Sequence, residues 1–292
     1  MTWLKERAVL VLGLLVLVYM FVPIFVVVLM SFNDPATRNV YKFDGFTMHN
    51  WLNPCEDPSM CDALGLSVRI GLLATVVATI IGTLAGFALV RWDFFGRLSS
   101  NVLIFLPMAA PEIVLGSSLL TLFVQGGFAG QLGFWTIFIA HVMFCLSFVV
   151  VTIRARLAGM NDVLEQAAAD LYATPSQTFW RVTFPLVLPG ILGAALLSFS
   201  LSFDDFIITN LNSGSEVTFP MYVWGQARVG VPMQVNVVGT LMLVISLVIV
   251  VGGELASRRR SRALTSSRSQ TPPPPAGSTA ATPIPAATSR PA

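Results

Sequence analysis

The chain has 292 residues, of which 55% are hydrophobic and only 11% are Asp, Glu, Lys or Arg. A soluble domain carries about 25% charged residues, so a fold of this length has too little charge to cover its surface, and the composition points to a chain solvated mostly by lipid. A net charge of +2 gives no ground for a nucleic-acid partner, and with two lysines, Lys5 and Lys42, and no G-x-x-x-x-G-K-[ST] loop the chain is not itself a P-loop ATPase.

A bilayer core of about 30 Å takes about 20 apolar helical residues. Six stretches reach that length, at 8–30, 67–90, 101–124, 135–153, 189–208 and 235–256. They predict an all-α integral membrane protein with six transmembrane helices over 1–256. The first stretch is too long for a signal-peptide core and no A-x-A site follows it, so it reads as an uncleaved anchor. The positive-inside rule sets the orientation. With both termini in the cytoplasm, Lys5, Arg7, Arg91, Arg97, Arg154, Arg156, Arg181 and six tail arginines lie inside, 13 of the 17 basic residues. Arg38, Lys42, Arg69 and Arg228 then fall at or near the outer face.

An outer loop over 31–66 joins the first two spans. Pro54, Asp57 and Pro58 favour turns around Cys55 and Cys61, so the two could meet as a disulfide in an oxidising compartment or stand as free thiols. Cys145, inside the fourth span, reads as packing. His49 and His141 are far apart, and a metal site is not expected. The tail over 257–292 starts with Arg258, Arg259, Arg260 and Arg262 and turns Pro-, Thr- and Ala-rich, with four prolines at 272–275. It has no apolar period and is expected to be disordered on the cytoplasmic side, its basic start acting as a stop-transfer signal or an anchor at anionic headgroups.

The inner loop over 154–188 is the most informative segment. Asp162 and Glu165 have the spacing of a capping box, and Ala167–Ala169 are strong helix formers. Thr174 restarts a helix, with Pro175 at its first position and Gln177 three residues after the cap. The turn is predicted near Tyr172–Ala173, and Pro185 and Pro189 are expected to break the second helix before the fifth span. The product is a short helical elbow, suited to a groove on a cytoplasmic partner or, in the blander reading, lying passively at the membrane surface.

This segment resembles the EAA loop of binding-protein-dependent ABC transporter permeases, E-A-A-x-x-x-G-x9-I-x-L-P. Ala167 and Ala168 match its two alanines and Pro185 its closing proline; Val182 and Phe184 replace Ile and Leu. Gln166 stands where Glu is usual, with Glu165 just before it, and Tyr172 stands where Gly is usual. Only Gly takes a left-handed turn at low cost, so Tyr172 is expected to strain that turn. The resemblance implies a coupling helix that docks on a separate ATPase subunit, carried by Asp162, Glu165, Gln166, Ala167, Ala168, Asp170 and Tyr172. ATP and magnesium would be bound by that partner, leaving this chain without a cofactor of its own and without catalytic residues.

Carboxylates inside a membrane cost about 2.5–3.5 kcal/mol each on insertion scales and are functional candidates by default. Glu112 falls near the middle of the third span, where Pro107 and Pro111 would break or kink the helix. Asp204 and Asp205 fall near the outer end of the fifth span. Ser198, Ser202, Asp205 and Thr209 step by four, three and four, forming one polar stripe on a helix. Asp205 is therefore favoured over Asp204 as a pathway group. Carboxylates suit a cationic substrate, with Phe203, Phe206, Tyr222 or Trp224 covering methylenes or making cation–π contacts. Alternatively the carboxylates pair with Arg69, Arg228 or a partner chain.

The segments LSFDDFIITN (201–210), PEIV (111–114) and RVGVPMQVNVVGT (228–240) resemble corresponding stretches of spermidine/putrescine permeases. The resemblance implies one permease subunit of an ATP-driven polyamine importer in a bacterial cytoplasmic membrane. Its implied partners are a second homologous permease, an ATPase dimer, an extracytoplasmic polyamine-binding protein and the lipid bilayer. The same scaffold importing ferric ion or an anion, and an ion-driven secondary transporter, are the alternatives.

Overall fold

The computed structural model describes the backbone over 2–35, 42–128, 130–161 and 163–268, and side chains between Arg7 and Gly253 within those ranges. Among these residues every extended element is a helix; the exception to helix and loop is one isolated antiparallel bridge, Asn33 to Phe46. Five helices are long and apolar enough to cross a bilayer, and a sixth span is present as a bent pair.

Helix α1 (Thr2–Met30) is apolar all round, and its most apolar stretch is entirely unburied within the chain. Its end runs into the outer-loop segment, which is held by two buried amides. Asn33 donates to the Lys42 carbonyl at 2.9 Å and accepts from the Asp44 N–H at 2.9 Å, while Asn50 donates to the Asn33 carbonyl at 2.8 Å. Phe32 stacks between Phe46 and Trp51. Asn50 and Trp51 lie on the short α2 (His49–Leu52). Cys55 and Cys61 are joined in a disulfide, their Cα atoms 5.5 Å apart.

Helix α3 (Pro58–Arg91) starts where Asp57 caps it, accepting the Ser59 N–H at 3.0 Å, with Pro58 in the first turn where its missing N–H costs nothing. Its 34 residues make a rod of about 51 Å. It packs against α6 (Phe134–Ala158) through glycines: a Cβ at Gly82 would lie 2.6 Å from Val149, and one at Gly86 2.8 Å from Ile153. In lipid, helices gain little from burying apolar surface and associate by close packing, which small residues permit. Phe87, Phe144, Val149, Ile153, Val187 and Ala194 belong to the core built around this contact.

The third span is two helices rather than one. Helix α4 (Arg97–Ala109) carries Pro107 without breaking. Ala110 and Pro111 then take extended conformations (ψ 138° and 135°), the region favoured for a residue before proline, and α5 (Glu112–Phe123) restarts at an angle of 111°. Helix α5 ends in a π-helical turn, Val124–Phe128, where Gly127 has φ 88°.

After α6 come α7 (Val163–Asp170) and α8 (Pro175–Thr178), the two arms of the elbow. A π-helical turn, Phe179–Thr183, leads straight into α9 (Phe184–Asp204), so the second arm and the fifth span form one element from Pro175 to Asp204. This corrects the expected break at Pro185 and Pro189. The Phe184 N–H reaches back five residues to the Phe179 carbonyl, and that extra residue in the turn accommodates Pro185, which has no N–H to give. Near Pro189, Arg156 binds the Leu186 carbonyl through Nε at 3.1 Å and Nη2 at 2.7 Å. The fifth span is interrupted instead at its other end: Asp205 is extended (ψ 126°) and α10 (Ile207–Asn212) follows. Helix α11 (Phe219–Gln226) and α12 (Met233–Arg268) complete the chain.

The chain divides into two units, one through Val238 and one from Gly239. Taken alone, the second is helical as far as Arg268, twelve residues past the point where the basic tail was expected to lose order. Ser, Arg, Ala, Leu and one Thr fill that stretch, and no breaker occurs before Pro272. The rest of the tail lies outside the described residues.

Candidate functional site

Two features of the first unit are candidates: a cavity beside the two helix breaks, and the elbow. The cavity measures about 700 Å³, and among its lining residues are Glu112, Phe203, Asp204, Phe206, Phe219 and Trp224. Glu112 is the first residue of α5, where the helix dipole favours a negative charge. Asp204 is the last residue of α9. Both are exposed, and neither has a described side-chain partner; Arg69 and Arg228 pair with neither. The aromatic wall is ordered by ring contacts, Phe206 with Trp224 at 5.2 Å and Phe203 with Phe219 at 6.1 Å between centroids. Two free carboxylates facing indole and phenyl rings can hold an extended cation, its charges on the carboxylates and its methylenes on the rings.

The two aspartates are placed differently: Asp204 is exposed and Asp205 is buried. Asp205 is 8% exposed, and although it borders the cavity its carboxylate turns inward. Oδ2 accepts the Thr209 N–H and hydroxyl, each at 2.8 Å, and lies 3.4 Å from His141 Nε2 on α6. His141 is 2% exposed, and its ring is bound on both sides, Nδ1 to Ser202 Oγ at 2.6 Å and Nε2 to Thr209 Oγ1 at 2.8 Å. The polar stripe at 198, 202, 205 and 209 is therefore real, but it faces α6 and is buried. Ser202 belongs to this buried group. Tyr222 also leaves the cavity: it is 6% exposed and donates its hydroxyl to Asp57 Oδ2 at 2.7 Å. The Ser59 hydroxyl first, and then Tyr222, hold the Asp57 carboxyl below its ordinary range. Trp224 remains on the cavity wall, 58% exposed. His141 was the group that sequence reasoning passed over; the signal was a polar stripe on span five with no stated partner and one imidazole within span four.

At the elbow, Tyr172 takes the left-handed conformation (φ 59°) that glycine would adopt freely. Its N–H bonds the Ala169 carbonyl at 2.9 Å, and the Ala173 N–H bonds the Ala168 carbonyl at 3.0 Å, the paired bonds of a Schellman turn. Thr174 and Gln177 form the reciprocal capping box, at 3.0 and 3.3 Å. Asp162 lies outside the described residues, and Asn161 caps the Val163 N–H at 3.0 Å. Among the described residues, the partners of Glu165 are distant in sequence. Both its oxygens bind the Arg91 guanidinium at the end of α3, and Oε1 also accepts from Thr183 at 2.6 Å. Hydrogen bonding from Arg91, aided by Thr183 against partial burial, holds its carboxyl below the ordinary range. Gln166, Ala167, Asp170 and Tyr172 are exposed and Ala168 half-buried.

Five helices long and apolar enough to cross a bilayer, with a bent pair beside them, are the architecture of a multi-pass membrane protein. Residues 78–261 match the family described as "Binding-protein-dependent transport system inner membrane component", and the chain belongs to that family. It is 35% identical over 231 residues to the spermidine/putrescine transport system permease protein PotC of Escherichia coli (strain K12), covering 79% of this chain and 86% of the relative. It is 36% identical over 231 residues to the putrescine transport system permease protein PotI of the same strain, covering 77% and 82%. Its fold matches a chain of a bacterial ABC transporter involved in the import of the acidic polysaccharide alginate, with a TM-score of 0.58 at 16% identity, over 87% of this chain and 95% of that one.

Proposed function

We propose that this chain is a permease subunit of an ATP-driven importer of polyamines. The observation that carries the reading is the cavity, where Glu112 and Asp204 stand unpaired against Phe203, Phe206 and Trp224. Putrescine and spermidine are flexible chains of methylenes between ammonium groups, and this lining offers a partner for each part. The names of the relatives, two permeases of spermidine and putrescine systems, support the same substrate class.

The transporter would pair this chain with a second homologous permease, two ATPase subunits and an outer polyamine-binding protein. Both termini and the elbow would face the cytoplasm. The exposed face of the elbow, with Gln166, Ala167, Asp170 and Tyr172, would dock on an ATPase subunit, while Glu165 ties the elbow back to α3. ATP and magnesium would bind the partner, and this chain would perform no covalent chemistry. Closure of the ATPase dimer would draw the elbows together and open the cavity outward, and hydrolysis would reset it.

The test is uptake of radiolabelled putrescine and spermidine at low external concentration, in cells with and without this chain and again after ATP depletion. Energy-dependent uptake that disappears with the chain establishes the reading. Unchanged uptake of both, with no second polyamine system present, removes the substrate while leaving the family.

A further inference from the structure

The buried imidazole of His141 belongs to no part of the transport path described so far, yet both of its ring nitrogens are bound. Its partners come from three positions around one interruption: Ser202 in the last turn of α9, Asp205 at the break, and Thr209 in α10. A stretch outside helical geometry at membrane depth persists only where neighbours satisfy its polar groups. One tautomer satisfies every group here. The Ser202 hydroxyl donates to Nδ1, Nε2–H donates to Thr209 Oγ1, and Thr209 donates its own hydroxyl and N–H to Asp205 Oδ2. Each donor is used and no charge on the ring is required. Asp204 immediately precedes the pinned residue and is exposed at the cavity.

We infer that His141 is a positioning residue for the transport pathway: by holding Ser202, Asp205 and Thr209 it fixes the end of α9 so that the Asp204 carboxylate projects into the cavity. The importance of that carboxylate for a cationic substrate rests on the polyamine reading above; the placement of residue 204 does not. Without His141, the Ser202 and Thr209 hydroxyls lose their common partner and Thr209 is no longer fixed against the Asp205 carboxylate, so residues 204–206 are free to rewind into the helix or fold outward. Either change moves residue 204, whereas Trp224 on the cavity wall belongs to α11, outside the freed segment.

The test is thiol labelling of position 204 in the full chain purified with its partner subunits, using a water-soluble trimethylammonium methanethiosulfonate. The native cysteines give a low background, since Cys55 and Cys61 are bonded to each other and Cys145 is buried. Asp204→Cys is compared alone and combined with His141→Gln or with Thr209→Val, which keeps the shape of the side chain but removes the hydroxyl. Labelling is expected to slow about tenfold in both combinations, while Trp224→Cys in the same backgrounds labels at its original rate. Unchanged labelling at 204, or equal slowing at 204 and 224, overturns the positioning role, the latter by showing a general collapse. In the chain with Asp204 intact, His141→Gln should raise the half-saturation concentration for spermidine and leave the maximal rate nearly unchanged; a fall in maximal rate alone also counts against the role. If the unmodified transporter moves no polyamine, the substrate reading fails, and the labelling experiment still decides the role of His141.

Discussion

Two interrupted spans meet at the cavity, and they are interrupted for different reasons. Between α4 and α5 the cause is local: Pro111 biases Ala110 away from helical geometry, and the new helix begins at Glu112. Between α9 and α10 no proline or glycine is present. The break at Asp205 survives because a histidine from another helix satisfies it. One break is written into neighbouring residues and the other into packing across 61 to 68 residues of chain. Each delivers one acid to the cavity, so the chain sets one carboxylate by local stereochemistry and the other by tertiary contact.

The comparison can be tested first at the acids themselves. Glu112→Gln and Asp204→Asn should each raise the half-saturation concentration for spermidine by about a hundredfold if an ammonium group loses its partner, measured as initial uptake rate at matched membrane levels. Similar effects would show that the two breaks serve one site, and an effect confined to one would separate them. Next in size, Asp205→Ala should destabilise the chain by about 1–3 kcal/mol by orphaning buried donors, read as a lower midpoint of thermal unfolding in detergent. A control remote from both breaks is Tyr172→Gly, which relieves the left-handed turn and should stabilise by about 0.5–1 kcal/mol once the looser unfolded chain is counted; the same thermal assay reads it as a rise. The smallest effect is expected for Pro111→Ala, within about 0.5 kcal/mol. Helix α5 is anchored independently, because Asn212 donates to the Gly116 carbonyl at 3.2 Å and a Cβ at Gly116 would press on Leu211. A large loss at Pro111 would show that the contacts around Gly116 do not hold α5 once its local constraint is gone.

What could be read from residue order followed the range of the forces involved. Apolar length located the spans, and the Thr174 capping box and the turn at Tyr172–Ala173 are contacts within five residues, so spacing revealed them. The Cys55–Cys61 bond closes a short loop and was one of two open outcomes. Glu165 was read as a local cap because Asp162 lies at the right spacing, but its partner Arg91 is 74 residues away and no local rule reaches it. The order of Asp204 and Asp205 was inferred by treating span five as one continuous helix. The stripe was correct, but its burial against His141 turned Asp205 inward and left Asp204 facing the cavity. Pro185 and Pro189 were given their usual role as helix breakers, although a π-helical turn can absorb a missing N–H.

Helix α3 is held at both tips by ionisable side chains from elsewhere in the fold, Asp57 to Tyr222 at one end and Arg91 to Glu165 at the other. A hydrogen-bonded helix resists stretching along its axis, so it works as a strut. A shove delivered to the elbow cannot dissipate inside it and is relayed to α11, the element that presents Trp224 to the cavity. If an ATPase partner pushes on the elbow, as proposed above, that push would have a direct linkage to the aromatic wall of the cavity.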